Sequence, residues 1–258
     1  MPVPAGPPAA RAAAALDSLR GAPILDFFPA LCRMAPEIAS LHFATYRRRP
    51  SLGDRLRAML TPEDDALQGA AERVSAAGVA YWDAVLSVAL ARGTMRDEFA
   101  EASLLHDFHL PERSFDLSSE QILNNGIAGL LPALAASEGL LVRSHLRLSS
   151  GGTAHLPMLD LACPCLPANA RAIRRMVALA GVGEGLLVRS GHSYHFYGTH
   201  PVPEERWLRF MAAALLFAPI TDSRYVAHRL LDGECRLKIV DSGDGMVPVI
   251  EDTFGDAV

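Results

Sequence analysis

The sequence changes character at Gly139, and this change limits the possible folds more than any other feature. After Gly139, short apolar segments of strand length alternate with amphipathic segments of helix length. Gly151-Gly152-Thr153 joins the first two strand segments and Gly191-His192 joins the next two, as in hairpins. The predicted strands are 140–150, 154–163, 185–190, 193–198 and 235–240, and the predicted helices are 168–181, 203–218 and 222–233. This order predicts an antiparallel or mixed sheet with helices on one face.

The chain before Gly139 is predicted to be mostly helical. Its clearest helix covers 61–93. Thr61 stands at a cap position, Pro62 takes the first helical position and Gly93 marks the end. Further helices are predicted over 27–49, 95–108 and 118–137. We therefore expect an α+β fold with a disordered leader over 1–12, a helical region over 13–137 and an α+β domain over 138–258.

Composition excludes several classes of protein. Half of the 258 residues are hydrophobic and 21% are charged, which is typical of a globular protein. The net charge of −5 gives no overall attraction for nucleic acid, so such binding would need a local basic surface. The sequence has no convincing signal peptide and no apolar run long enough to cross a membrane. It therefore predicts a cytoplasmic protein without a membrane segment.

The four cysteines are unevenly spaced, as expected of reduced thiols rather than of a disulfide framework. Cys163 and Cys165 could form half of a zinc site, but no second pair of ligands stands at a matching spacing. We interpret them as buried structural cysteines.

Asp160 is a lone carboxylate in the apolar segment HLPMLDLACP. A buried carboxylate without a partner costs several kcal/mol, so its position requires hydrogen bonds, a cation or a strand end. One interpretation is an edge aspartate bonded to backbone amides. The other is an acid beside a metal ion or a phosphate.

The segment SGHSYHFYG, at 190–198, combines a turn rich in hydroxyl groups with a strand. Alternation along the strand places Ser193, His195 and Tyr197 on one face. The turn exposes hydroxyls and backbone amides, which suit an anionic oxygen. A buried histidine with an ordinary structural role is the alternative for His195.

Charged residues also stand near the end of the chain. Asp222 precedes a predicted helix, where an N-cap role alone would explain it. Arg236 and Lys238 alternate with apolar residues on the last predicted strand, so they point the same way. Two neighbouring cations repel each other unless an anion lies between them or solvent screens them.

Taken in order, these segments resemble the catalytic core of the archaeo-eukaryotic primase superfamily, the primase-polymerases. Over roughly 138–245, the similar segments are Met158-Leu159-Asp160 for motif I, the run Ser190 to His195 for motif II, Ile220-Thr221-Asp222 for motif III and Arg236 to Ile239 for the closing strand. The resemblance implies an RRM-like sheet and the chemistry of nucleotidyl transfer, with Asp160, Asp222 and His195 as the catalytic set.

The resemblance also implies ligands. Asp160 and Asp222 would hold a divalent cation, Mg²⁺ or Mn²⁺. Ser190, Ser193 and His195 would face the phosphates of a nucleoside triphosphate, and Arg236 and Lys238 would neutralise them. The family has a second acid in motif I where this chain has Ala162. Because two-metal transfer depends on bridging carboxylates, this departure predicts reduced catalysis.

We therefore predict a bacterial primase-like protein that binds a nucleotide, single-stranded DNA or single-stranded RNA. The alternative is a non-catalytic interaction subunit of a nucleic-acid-processing or defence complex, with a helicase or nuclease as its partner. A serine hydrolase using Ser190 or Ser193 is disfavoured, because the sequence lacks the nucleophile elbow G-x-S-x-G.

Overall fold

The computed structural model describes residues 14–47, 58, 60, 64–76, 79, 81–104, 111–129, 134, 137–242 and 245–255. The predicted leader over 1–12 lies outside the described residues. The chain forms two compact units. One contains the described residues up to Arg47 and from Pro111 onward, and the other contains those between Arg48 and Leu110.

The smaller unit is helical in its described part, with helices α2 (Asp65–Ala76), α3 (Tyr81–Arg92) and α4 (Asp97–Leu104). Its core is formed by Leu67, Ala71, Trp82, Ala84, Val85, Ala89 and Phe99. The predicted helix 61–93 is therefore two helices, and the predicted stop at Gly93 is confirmed by its left-handed φ of 66°. Trp82 belongs to this core, with 4% of its surface exposed.

The larger unit contains two antiparallel sheets. Sheet 1 is built from β1 (Ile38–Arg47), β2 (Pro111–Ser118), β3 (Glu138–Leu148), β4 (Thr153–His155) and β8 (Arg236–Val240). Its order is β2-β1-β3-β4, and β8 also pairs with β3. Sheet 2 is built from β5 (Met158–Pro164), β6 (Gly185–Ser190), β7 (Ser193–Gly198) and β9 (Val249–Phe254), in the order β5-β7-β6-β9.

The helices of this unit are α1 (Phe27–Met34), α5 (Ser119–Asn125), α6 (Pro167–Leu179), α7 (Glu204–Leu215) and α8 (Ser223–Asp232). Helix α1 contacts both sheets through adjacent residues. The ring of Phe27 lies 6.0 Å from Tyr197 in sheet 2, and the ring of Phe28 lies 5.6 Å from Phe43 in sheet 1. The two sheets therefore share one apolar core.

The α+β class is confirmed, but two details of the prediction are wrong. The region 13–137 is not simply helical, because β1 and β2 lie within it. Pro36 explains the error for β1: a proline disfavours helical backbone in the residue before it, and α1 ends with Ala35 as its C-cap. In the predicted helix 118–137, α5 ends at Asn125 with Gly126 as its C-cap, and 130–133 and 135–136 lie outside the described residues.

The second error concerns the sheet, which is two sheets rather than one. The predicted strand 154–163 is divided between β4 in sheet 1 and β5 in sheet 2. Pro157 stands at the break, and it has no N–H to donate to a continuous ladder. Strand β9 was also missed. The predicted strand 235–240 is confirmed as β8.

No helix in the described part of the chain is long and apolar enough to cross a membrane.

Candidate functional site

Asp160 and His195 lie side by side on sheet 2. Strands β5 and β7 are antiparallel, and Asp160 is directly opposite His195 in their register. Residues opposite each other in a sheet point to the same face, and here His195 Nε2 lies 3.6 Å from Asp160 Oδ1. The histidine side chain is 4% exposed and the aspartate side chain 38%, so the carboxylate is the part of the pair that reaches solvent.

Asp222 is brought to the same place by a contact between distant parts of the chain. Leu161 forms an isolated β-bridge with Thr221, and the N–H of Ala162 donates to the carbonyl of Ile220 at 2.9 Å. These contacts place Asp222 beside the strand that carries Asp160. Asp222 is also the N-cap of α8, where its Oδ1 accepts hydrogen bonds from the N–H groups of Arg224 at 2.9 Å and Tyr225 at 3.0 Å.

The electrostatics of Asp160 reflect this arrangement. Burial raises the pKa of Asp160 to about 7, and the negative charge of Asp222 acts in the same direction. Lys238, the N–H of Leu161 and Arg229 act in the opposite direction and stabilise the ionised form. The side chain of Asp160 is nevertheless 38% exposed, so part of it reaches solvent. A partly buried carboxyl group whose pKa lies near neutral is typical of functional sites.

Arg229 is a site residue that the sequence prediction did not select. It is 7% exposed, and its guanidinium pairs with Asp232 at 2.9 Å and lies 5.5 Å from the ring centre of Tyr225. In the sequence, the spacing of Arg229 from Asp222 could have identified it. Arg229 follows Asp222 by seven residues, which is about two helical turns, so both lie on one side of α8.

The predicted phosphate-binding serines lie at the hairpin between β6 and β7. Ser190 is paired with Ser193 across the turn, and Gly191 has the left-handed φ of 73° that the turn requires. Ser193 is two residues from His195 on the same strand, so both face the same way. Both serines are partly exposed. The structure thus brings Ser193 to the face of Asp160 and places Ser190 opposite Ser193 at the hairpin end.

Arg236 and Lys238 point the same way, as predicted, and both are partly exposed on β8. Acidic side chains of the chain itself explain why they can stand together. Arg236 Nε donates to Glu234 Oε1 at 2.8 Å, and Lys238 Nζ lies 3.0 Å from Asp241 Oδ2. Glu234 also pairs with Arg143 at 2.7 Å. Lys238 is the cation of the two that influences Asp160.

Asp160 and Asp222 are the carboxylates at this site that could hold a divalent cation. Among the described residues, no group of three or more His, Cys, Asp or Glu side chains is arranged to hold a metal ion. Magnesium, however, is commonly held by one or two carboxylates together with waters and substrate phosphates. Asp160 and Asp222 supply two carboxylates of this kind. Ala162, at the place of the family's second acid, is exposed.

Cys163 and Cys165 are free and only partly buried, so the prediction that both are buried is not met in full. Burial raises the pKa of both thiols, which disfavours the thiolate form that binds zinc. Two cavities, of about 380 and 360 Å³, lie away from Asp160, since neither is lined by it.

A comparison with protein families finds a primase-like family. The resemblance to primases predicted one RRM-like sheet, whereas the chain has two antiparallel sheets. Asp160 and His195 lie on sheet 2, and Asp222 lies at the N-terminus of α8. The family model described as archaeo-eukaryotic primase 1D-like (AEP-like) matches residues 118–249, which is just over half of the chain. The protein therefore belongs to this primase-like family. No curated protein and no solved structure gives a significant match.

Proposed function

We propose that the protein binds a nucleoside triphosphate together with a divalent cation at Asp160 and Asp222, next to a single-stranded nucleic acid. The observation that carries this proposal is the pairing of the two acids. The bridge between Leu161 and Thr221 places Asp222 beside the strand that carries Asp160, and the charge of Asp222 acts with burial to raise the pKa of Asp160 to about 7. A cation held by both carboxylates would relieve this repulsion. Membership of a primase-like family supports a nucleotide as the ligand.

Each residue has a distinct part in the proposed binding. Asp160 and Asp222 would hold Mg²⁺ or Mn²⁺, which supplies positive charge to the nucleotide phosphates. His195, 3.6 Å from Asp160, would orient the carboxylate and donate to a phosphate oxygen when protonated. Ser193 and Ser190 would donate hydroxyl hydrogens along the hairpin. Lys238 and the buried Arg229 would balance the remaining negative charge.

With one acid in motif I, we expect strong nucleotide binding and weak nucleotidyl transfer. Transfer by two metals needs carboxylates that stabilise both the attacking and the leaving oxygen. Asp160 and Asp222 provide enough carboxylates to bind one metal ion but not two. The proposed role is therefore nucleotide-dependent recognition of a nucleic acid, accompanied by slow synthesis.

The test measures binding and synthesis separately. Binding of a labelled nucleoside triphosphate is titrated with and without Mn²⁺ in the wild type and in Asp160→Asn. We expect Mn²⁺ to tighten binding by the wild type at least tenfold and to leave the variant unchanged, because one of the two cation ligands is lost. Equal metal dependence in both proteins would contradict the assignment of Asp160.

The second measurement is incorporation of labelled nucleotides on a single-stranded template with Mn²⁺. Product that depends on Asp160 would show that synthesis survives the loss of the second acid. Metal-dependent binding without product would favour the non-catalytic alternative, in which the fold recognises a nucleotide or a strand for a partner. The variant Ala162→Asp, which restores the acid, should then increase synthesis in a folded protein.

A further inference from the structure

A charged cavity lies between the start of α6, strand β9 and the N-terminal segment. The cavity of about 360 Å³ is lined by three arginines, Arg20, Arg171 and Arg174, and by two acids, Glu251 and Asp252. None of these residues belongs to the Asp160 site. The cavity thus brings three guanidinium groups to one concave surface, although the whole chain has a net charge of −5.

Two of the arginines are held in place by the protein. Arg20 lies 2.9 Å from one oxygen of Asp252, and Arg174 pairs with the other oxygen. The carbonyl of Thr253 accepts hydrogen bonds from both guanidinium groups, at 3.0 Å from Arg20 and 3.3 Å from Arg174. These contacts fix both side chains before a ligand arrives, which lowers the entropy cost of binding.

The charges in the cavity do not cancel. Glu251 is engaged outside the arginine group, because it pairs with Arg189 and accepts a hydrogen bond from the hydroxyl of Tyr194 at 2.7 Å. The acids that oppose the three arginines are then Asp252 and Asp17, which pairs with Arg20 at 3.4 Å. Arg171 is exposed, and no carboxylate in the described part of the chain pairs with it. The cavity therefore carries an excess of positive charge.

We propose that this cavity binds a phosphate group. The planar guanidinium presents paired N–H donors that match two phosphate oxygens, and arginine is accordingly common where phosphate is recognised. The volume of about 360 Å³ lies within the usual range for small-ligand pockets. The phosphate can come from a single strand of nucleic acid or from a free nucleotide. The inference extends the proposed function to a second site and does not depend on the first.

The first arm of the test uses a fluorescent single-stranded oligonucleotide and the full chain in EDTA, with binding followed by anisotropy from 50 to 200 mM NaCl. The variant is Arg171→Gln, because Arg171 is exposed and supports no ion pair between described residues. The matched control is Arg209→Gln on α7. The side chain of Arg209 is 80% exposed, and Arg209 does not line the cavity. Both variants lose one positive charge.

If the bound phosphate belongs to a single-stranded nucleic acid, Arg171→Gln weakens oligonucleotide binding by about five- to tenfold. It also reduces the slope of log affinity against log salt by about one, since one fewer counterion is released. Arg209→Gln should change neither value appreciably. Arg171→Lys, which keeps the charge, should recover most of the salt slope and only part of the affinity.

The second arm measures binding of ATP in EDTA by calorimetry. If Arg171→Gln loses ATP binding but binds the oligonucleotide as the wild type does, the source of the phosphate is a free nucleotide. Equal behaviour of Arg171→Gln and Arg209→Gln in both arms, or no binding by the wild type in either, would overturn the proposal. Asp160→Asn should bind normally in EDTA, so failure of this site and failure of the Asp160 site are distinguishable.

Discussion

At the scale of single residues, Asp160 couples the candidate site to the stability of the protein. Its pKa is raised from 3.8 to about 7, so folding favours the protonated carboxyl group. Below about pH 4 the group costs nothing, because it is protonated in both the folded and the unfolded state. As the pH rises from 4 to 7 the unfolded state ionises first, and stability falls. Above pH 7 the cost is constant.

The variant Asp160→Asn should therefore be more stable than the wild type at pH 8 and similar to it at pH 4. Because the side chain is 38% exposed, solvent screens part of the penalty, and we expect about 1 kcal/mol, or about 2–4 °C in Tm. Thermal unfolding from pH 4 to pH 8 measures this difference. Glu205→Gln, at a carboxylate that is 79% exposed, is the control. A difference in Tm that does not grow with pH would argue against a buried, repelled carboxylate.

At the scale of secondary-structure elements, the hairpin of β6 and β7 depends on a glycine that permits close packing. A Cβ atom on Gly185 would lie 2.3 Å from the ring of Phe196 and 2.6 Å from the carbonyl of Tyr197. Neither neighbour can move without shifting β7, the strand that carries His195. We expect Gly185→Ala to destabilise the protein by about 2–3 kcal/mol, and Mn²⁺-dependent nucleotide binding to weaken with it.

Thermal unfolding and nucleotide titration test this prediction together. Gly152→Ala is the matched control, since the nearest atom to its Cβ would be Ser150 Oγ at 3.8 Å. It should change stability by less than about 0.5 kcal/mol. If Gly185→Ala melts like the wild type, the hairpin tolerates a Cβ atom at this position, and the position of His195 does not depend on the glycine.

The same elements show how far the sequence predicts the structure. The strands β6, β7 and β8 follow from local alternation and glycine turns, and their predictions are confirmed. Strand β1 was predicted as part of a helix because the apolar residues between Ile38 and Tyr46 fit both periods. Its ladders with β2 and β3 decide the outcome, and such pairing between distant segments is invisible to local patterns.

The candidate site illustrates the same limit at residue level. Asp160 and His195 could be chosen from their setting in strands, but their separation of 3.6 Å depends on the β5–β7 register. The position of Asp222 depends on the bridge between Leu161 and Thr221. Only the order of the motifs, compared with primases, predicted that these residues meet. Arg229 belongs to none of these motifs. Its spacing from Asp222 places it on the same side of α8, but its position near Asp160 depends on the fold.

At the scale of the whole molecule, the folded unit is larger than the family match. The match covers 118–249, whereas the core also needs α1, β1 and β9, which lie almost entirely outside it. Phe27, Phe28, Phe43 and Ile250 are fully buried. The N-terminal segment also holds β9, since Gly21 donates to the carbonyl of Ile250 at 2.8 Å. Residues before and after the match therefore complete both sheets.

A protein made of residues 118–249 alone should accordingly fail to fold. Without β1 and β9, strands β3 and β6 each lose a partner along their length, and the rings that join the two sheets are gone. We expect no cooperative thermal transition, little chemical-shift dispersion in NMR spectra and a tendency to aggregate through the unpaired strands. The full chain, measured under the same conditions, should unfold cooperatively. A cooperative transition in the 118–249 protein would mean that the primase-like segment is an independent domain, and that β1 and β9 add stability without being required for folding.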